Sequence, residues 1–323
     1  MLFGLRARRR AVGHGEPDAG TPSCTLRKRH DHEISPKEPT VLLPRRQPRY
    51  DVAGRTVLIT GAAQGIGLAL ARALYAKHAN VALVDCDELT VRRQAAELGE
   101  RALAVDADVR DRPSMAAAVE ATVRRFGQLD VVVANAGVSP VPATLRSMDS
   151  TDFDRVLDVN LLGAFNTVKP ALEQVIAGQG HLVLVASCAA FTPGAGGSAY
   201  MISKAAVEQL GRALRLELSG HGVSVQIAYF GIVETEMTRG ILDADDMGRR
   251  VNAMLPWPLN RRISADQAAA TIADGIAARA PATIAPAGWS VYSVLRGIAN
   301  PVIDRVLLGD ARMRDLVREI EGR

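Results

Sequence analysis

The stretch Arg55–Gly67, RTVLITGAAQGIG, decides the fold. Thr56 to Thr60 is a short apolar run containing β-branched residues, the pattern of a buried strand. Gly61, Gly65 and Gly67 follow at once, and Leu68 to His78 (LALARALYAKH) is rich in the helix formers Ala and Leu. Strand, glycine turn and helix in that order make a seat for phosphate. Glycines let the backbone approach an anion closely, and the first N–H groups of a helix lack partners and carry positive potential. The spacing is T-G-x-x-x-G-x-G rather than G-x-G-x-x-G. Three glycines by themselves fit a tight turn without a ligand equally well.

The 323 residues suffice for one large domain or two small ones. At 48% hydrophobic and 23% charged residues, the chain can bury a sizeable core. Its net charge of +4 is unevenly placed: residues 1–50 hold eleven Lys or Arg against five Asp or Glu, whereas the rest hold 28 against 30. The body therefore offers no general electrostatic case for nucleic acid. Residues 1–50 also hold six of the sixteen prolines, the run Arg8-Arg9-Arg10 and no sustained periodicity. A disordered basic extension is expected there, with an arginine-rich targeting segment as the alternative. Cys24, Cys86 and Cys188 are too few and too scattered for a disulfide framework, and no zinc spacing is present. Reduced thiols, a cytoplasmic location and no metal are expected. No run approaches the roughly 18 apolar residues of a membrane span.

Beyond the first helix, strands and helices alternate. Strands are expected at Val81–Asp85, Ala102–Val105, Leu129–Ala134, His181–Ala186 and Val223–Tyr229. Helices are expected at Glu88–Leu98, Ser114–Phe126, Thr151–Val175 with a break at Pro170, and Tyr200–Ser219. Strands apolar throughout mark a parallel sheet covered on both faces, and short right-handed crossovers make it a doubly wound α/β sheet. Ligands of such sheets bind beyond the carboxyl ends of the strands. Phe230–Arg262 reads as a substrate loop or lid, Ser264–Arg279 as an Ala-rich helix capped by Ser264, and Thr283–Ala285 as a seventh strand. Trp289–Leu308 is expected to be buried or to form a subunit interface in preference to a membrane contact, with Pro301 breaking its helix. The expected organisation is an extension over 1–50, a catalytic domain over 51–288, and a C-terminal helical segment of the same domain over 289–323.

Several residues just after strands carry chemistry. Asp85 ends the second strand, where a carboxylate can accept hydrogen bonds from an adenosine ribose and would repel a 2′-phosphate. No Arg or Lys lies within Ala62–Ile66, so NAD is expected in preference to NADP. A carboxylate capping a turn is the plainer alternative for Asp85. Tyr200 and Lys204 share one helix face. A free phenol has a pKa of about 10, and a nearby ammonium favours the phenolate, making Tyr200 a candidate acid/base. Ser187, at the end of the fifth strand, can hydrogen-bond the same substrate oxygen. Asn160 lies within an expected helix, facing solvent or holding a water.

Together, Thr60–Gly67, Asp108-Val109, Asn135-Ala136-Gly137, Asn160, Ser187 and Tyr200-x-x-x-Lys204 occur in an order and spacing that resembles the short-chain dehydrogenase/reductase family. The resemblance is close over about Val52–Thr238. It implies a Rossmann-type domain and an NAD(P)-dependent oxidoreductase moving a hydride between nicotinamide and a secondary alcohol or ketone. Tyr200 would be the acid/base and Lys204 would lower its pKa and hold the nicotinamide ribose. Ser187 would orient the substrate, and Asn160 would support a water relay to Lys204. Gly61, Gln64, Gly65, Ile66 and Gly67 would hold the cofactor with Asp85, Asp108, Val109, Asn135, Ala136 and Gly137, while Val233 and Thr235 would meet the nicotinamide amide. The family's Pro-Gly after the sixth strand is here Phe230-Gly231, which puts the local pocket shape in question. Met237, Ile241, Met254, Leu255, Trp257 and Val291 would suit an apolar substrate. A homo-oligomer is expected, acting on a small molecule and with neither nucleic acid nor an integral membrane span. The alternatives are an acyl-chain ketoreductase using NADPH and a non-catalytic NAD-binding regulatory protein on the same fold.

Overall fold

A computed structural model describes residues 49–244, 246–254 and 257–322, excluding the side chain of Val251. Apart from Arg49 and Tyr50, the expected disordered extension lies outside the described residues. Tyr50 belongs to the folded body: it is buried, its N–H donates to Ala277 O (2.7 Å), and the Arg279 and Arg55 guanidinium groups lie over its ring.

The chain runs through β1 (Thr56–Thr60), α1 (Gly65–Ala76), β2 (Asn80–Asp85), α2 (Glu88–Leu98), β3 (Ala102–Asp106), α3 (Arg112–Phe126) and β4 (Val131–Ala134). Next come α4 (Ser150–Leu157), a π-type turn over Asp158–Leu162, α5 (Gly163–Val168), a 3-10 turn over Lys169–Ala171 and α6 (Leu172–Ala177). Then follow β5 (His181–Val185), α7 (Ser198–Glu217), β6 (Ser224–Phe230), β7 (Ile232–Glu234), α8 (Glu236–Thr238), α9 (Asp246–Ala253) and β8 (Arg262–Ser264). The chain closes with α10 (Ala265–Ala278), β9 (Ala282–Ala285), α11 (Gly288–Gly309) and α12 (Ala311–Glu321).

Seven strands form one parallel sheet in the order β3-β2-β1-β4-β5-β6-β9. Successive side chains of a strand point to opposite faces, so a strand between two helix layers must be apolar at every position. Leu58, Val132, Leu182, Leu184 and Ile227 pack on one side with Met115 of α3, Val168 of α5 and Val207 of α7. Val57, Ile59, Val131, Val133 and Val183 pack on the other with Leu70 and Leu74 of α1 and Ile272 and Ile276 of α10. Fully burying such a side chain stabilises the fold by roughly 1.5–3 kcal/mol. The sheet order reverses direction between β1 and β4, the switch point where a crevice opens in this architecture.

Four expectations are corrected. The first helix starts at Gly65 rather than Leu68, because the glycine turn itself supplies the first helical residues. The helix expected over Thr151–Val175 is interrupted twice. The tight turn falls around Pro170, which has no N–H to donate, whereas the wider turn around Asn160 has no proline to announce it. Phe230–Arg262 is not a plain loop: β7 and β8 pair in parallel across it, and Ser264 then caps α10 reciprocally with Gln267. Pro301 does not end α11. The carbonyl it leaves without a donor belongs to Gly297, on the exposed side where water can serve it. Trp289 is buried and Arg296 pairs with Glu208 of α7, while Val291, Val294, Ile298, Val302 and Val306 are exposed. Among the described residues, no helix is long and apolar enough to cross a membrane.

Candidate active site

The carboxyl ends of the central strands open onto a cavity of about 490 Å3. Gly61 (φ +66°) and Gly65 (φ +57°) occupy the left-handed backbone region on its wall, which glycine enters without strain. Gly67 is required for a different reason: a Cβ there would lie 2.2 Å from the Gly61 carbonyl oxygen. No side chain caps α1, no acidic residue stands in its first turn, and Gln64, Gly65 and Ile66 line the cavity. The free N–H groups of this helix start suit a pyrophosphate.

The adjoining loops are clamped to one another. Asn135 Nδ2 donates to Thr60 O (2.8 Å) and Gly61 O (3.2 Å), and Thr60 Oγ1 accepts from the N–H groups of Asn135 and Ala136. The first residues after β4 are thereby held against the glycine turn. Asp85 also braces that turn. Its carboxylate accepts from Ala63 N (2.9 Å) and Asp87 N (3.1 Å) while the residue lines the cavity. The turn-capping reading of Asp85 is thus on view, and it leaves carboxylate lone pairs for a ribose. Asp108 is gripped by the Arg110 side chain, whose hydrogen bonds hold its carboxyl below the usual range. Val109 is buried, with its carbonyl accepting from Asn166 Nδ2 (2.9 Å).

Ser187, Tyr200 and Lys204 meet on another part of the same wall. Ser187 Oγ donates to Phe230 O (3.2 Å) and accepts from Ala189 N (3.1 Å), and its nearness to the Tyr200 phenol favours the ionised form. Lys204 Nζ lies 5.7 Å from the centre of the Tyr200 ring and donates to Val185 O (3.0 Å). Gly137 makes room for it, since a Cβ there would sit 3.3 Å from both Lys204 Nζ and Asn160 Oδ1.

The electrostatics correct the simple expectation for this pair. Burial pushes the Tyr200 phenol up and Lys204 down, the latter to about 8. A full positive charge on Lys204 beside the phenol would favour its ionised form. That pull is weakened because burial also disfavours the charged form of Lys204. Charge on Lys204 at the moment Tyr200 ionises requires further partners for the ammonium.

Asn160 is buried rather than solvent-facing. Its Oδ1 accepts from Val138 N (2.8 Å), and Nδ2 donates to Val138 O (3.0 Å) and Ser203 Oγ (2.9 Å). The side chain is therefore a clasp between the β4 loop and α7. Phe230 extends β6 into register with Ala285 and is buried, and Gly231 is needed because a Cβ would lie 2.6 Å from Trp289 Nε1. Val233 and Thr235 line the cavity, with the Thr235 methyl 3.5 Å from a Cβ placed on Gly65.

Of the apolar candidates, Met237 lines the cavity, Met254 packs against the Leu316 cluster, and Trp257 and Val291 are exposed on the surface. Ile241 is half-buried without lining the cavity, and Leu255 lies outside the described residues. Sequence reasoning missed Thr60, Asn166 and Ser203 as holding residues. Their one signal is polarity at positions that a helix or strand would otherwise fill with apolar side chains.

Residues 55–246 match a family model described as short chain dehydrogenase. The chain is 34% identical over 209 residues to 2-(R)-hydroxypropyl-CoM dehydrogenase of Xanthobacter autotrophicus, covering 62% of this chain and 84% of that one. It is 36% identical over 203 residues to (-)-trans-carveol dehydrogenase of Rhodococcus erythropolis, covering 58% and 73%. The structure of 3-ketoacyl-(acyl-carrier-protein) reductase from Brucella melitensis complexed with NADH superposes with a TM-score of 0.64 at 27% identity, covering 72% of this chain and 97% of that one.

Lys204 makes the site measurable without a ligand. Its folded pKa is below the ordinary 10.5, so the unfolded chain binds the extra proton between about 8 and 10.5 and stability rises with pH there. Urea unfolding at pH 7 to 10 should show Lys204→Met more stable than wild type near neutrality. The difference should shrink as pH climbs through that window; a constant difference would contradict the assignment.

Proposed function

Because the chain belongs to the short-chain dehydrogenase family, whose members are NAD(P)-dependent oxidoreductases of alcohols and ketones, we propose that it moves a hydride between NAD and a compact, largely apolar secondary alcohol or its ketone. The observation that carries this reading is the convergence of Ser187, Tyr200 and Lys204 on the wall that also holds the glycine turn. The cradle fits a dinucleotide. Uncapped N–H groups await the pyrophosphate, Asp85 the adenosine ribose, Asp108 and Val109 the adenine, and Val233 and Thr235 the nicotinamide amide. Bound nicotinamide supplies or accepts the hydride.

The chain's own groups handle the oxygen. Tyr200 exchanges a proton with it, and the Ser187 hydroxyl turns from the Phe230 carbonyl to donate to it. Lys204 would hold the nicotinamide ribose, whose hydroxyls would be the further partners that keep its ammonium charged. Asn160 holds Val138 and Ser203, and through Ser203 Oγ, which donates to Tyr200 O (2.7 Å), the start of α7. It acts here by position.

Two relatives are named as dehydrogenases of 2-(R)-hydroxypropyl-CoM and of (-)-trans-carveol, both secondary alcohols, and Val138, Val159 and Met237 give the cavity wall an apolar share. NAD is favoured by the Asp85 carboxylate and by the engagement of Arg110 with Asp108. That preference weighs against an acyl-chain ketoreductase using NADPH, and the assembled Ser187, Tyr200 and Lys204 weigh against a non-catalytic role.

Tyr200→Phe should lower kcat by at least about 10²-fold while the Kd for NADH, read by cofactor fluorescence, stays within a few fold. Turnover near wild type would end the mechanism. Asp85→Arg should shift the NAD-to-NADP ratio of kcat/KM toward NADP by about tenfold or more. An unchanged ratio would remove Asp85 as the selector.

A further inference from the structure

The loops that leave the carboxyl ends of β4, β5 and β6 begin with residues of the reaction site and meet again, farther out, on one element. That element is α12. Leu316 and Ile320 are buried with Met247 of α9, and Ala195, Met254 and Met313 close around them. Glu321 accepts from Thr144 Oγ1 (3.1 Å) and Arg146 Nη1 (2.7 Å), both on the loop after β4. Glu319 pairs with Arg250 of α9. Gly196, on the loop after β5, has φ +76°, and a Cβ there would lie 3.1 Å from Ile320 Cδ1 and 3.3 Å from Pro142 Cβ. The first two loops are also joined directly, Ala143 N donating to Gly196 O (3.1 Å).

These contacts form a cluster of their own. No α12 residue belongs to either apolar layer that covers the sheet, so the helix is not needed to fill the core. Its apolar residues Met313, Leu316 and Ile320 recur at helical spacing on one face, and the opposite face is charged. The loops it joins are those that start with Asn135–Val138, with Ser187, and with Gly231, Val233 and Thr235, all of which line the reaction cavity. Val141 and Leu145 on the first loop are exposed, and Met237 on the third lines the cavity.

We propose that α12 clasps these loops into a fixed outer wall of the substrate side, and that this wall restricts the enzyme to compact alcohols or ketones. The proposal rests on the reading of Tyr200 as the reaction centre. Met313, Leu316, Ile320, Glu319 and Glu321 are then specificity-determining residues that act by position, without touching the reacting atoms.

The test uses the full chain. L316D combined with I320D opens the apolar seam, and E321A removes only the tie to Thr144 and Arg146. Cyclohexanol and 4-cyclohexylcyclohexanol serve as the compact and extended substrates, and trypsin cleavage after Arg249 or Arg250 reports release of α9. The double variant is expected to move the compact-to-extended ratio of kcat/KM at least tenfold toward the extended alcohol, through KM. Cleavage should be at least tenfold faster and the NADH Kd within twofold of wild type. E321A should move ratio and cleavage in the same direction by about threefold, and it carries the test if the double variant does not fold. A ratio and cleavage rate within twofold of wild type would overturn the clasp, as would a tenfold loss of NADH affinity, which would make α12 a support of the whole fold. If the wild type oxidises neither alcohol, the reaction assigned to the site falls, and the cleavage comparison alone decides the clasp.

Discussion

The Lys204 ammonium is buried at the carboxyl end of β5, where it donates to the Val185 carbonyl. A buried cation with so little solvation is costly, and the cost shows in a pKa lowered to about 8. Nearby features follow from having to hold that group there. Gly137 leaves out the side chain that would crowd it, and Asn160 fixes the loop and helix on either side. The phenol beside it is itself pushed up by burial. In the proposed function, two buried groups that each resist the charged form act as an acid/base pair once a third partner shares the charge. The uncapped helix start and the open wall beside it are where such a partner would lie.

Parallel topology explains why these residues meet. Every strand of the main sheet ends on the same side, so a residue just past a strand end is near the residues past its neighbours' ends. Thr60, Asp85, Asn135, Ser187 and Phe230 occupy such positions on β1, β2, β4, β5 and β6. Close approach is then achieved by side-chain-to-backbone hydrogen bonds across strands, as Asn135 makes to Thr60 and Gly61, and by glycines where a Cβ would collide. The alternation of side chains between two helix layers fixes the register that brings these ends level.

Much of this was legible in the chain. The strand spans read as apolar runs because both faces are covered, and the Thr60–Gly67 turn and the Tyr200–Lys204 helix face are local patterns. What escaped depends on tertiary contact. The wide turn at Asn160 follows no proline or glycine and serves bonds to Val138 and Ser203, more than twenty residues away in either direction. The continuity of α11 through Pro301 depends on the exposure of Gly297, and the pKa directions of Tyr200 and Lys204 on burial that spacing alone does not report. The apolar residues proposed to face the substrate scattered for the same reason: hydrophobicity does not say which cavity, cluster or surface a side chain joins.

The central claim is that Tyr200 becomes a usable base only once the cofactor supplies Lys204 with partners. It is tested by titrating the Tyr200 phenolate through its ultraviolet difference absorbance, subtracting Tyr200→Phe, with and without saturating NAD. The account predicts ionisation above 10 in the protein alone and a fall well below 10 with NAD bound. Ionisation at the same pH in both states would contradict it.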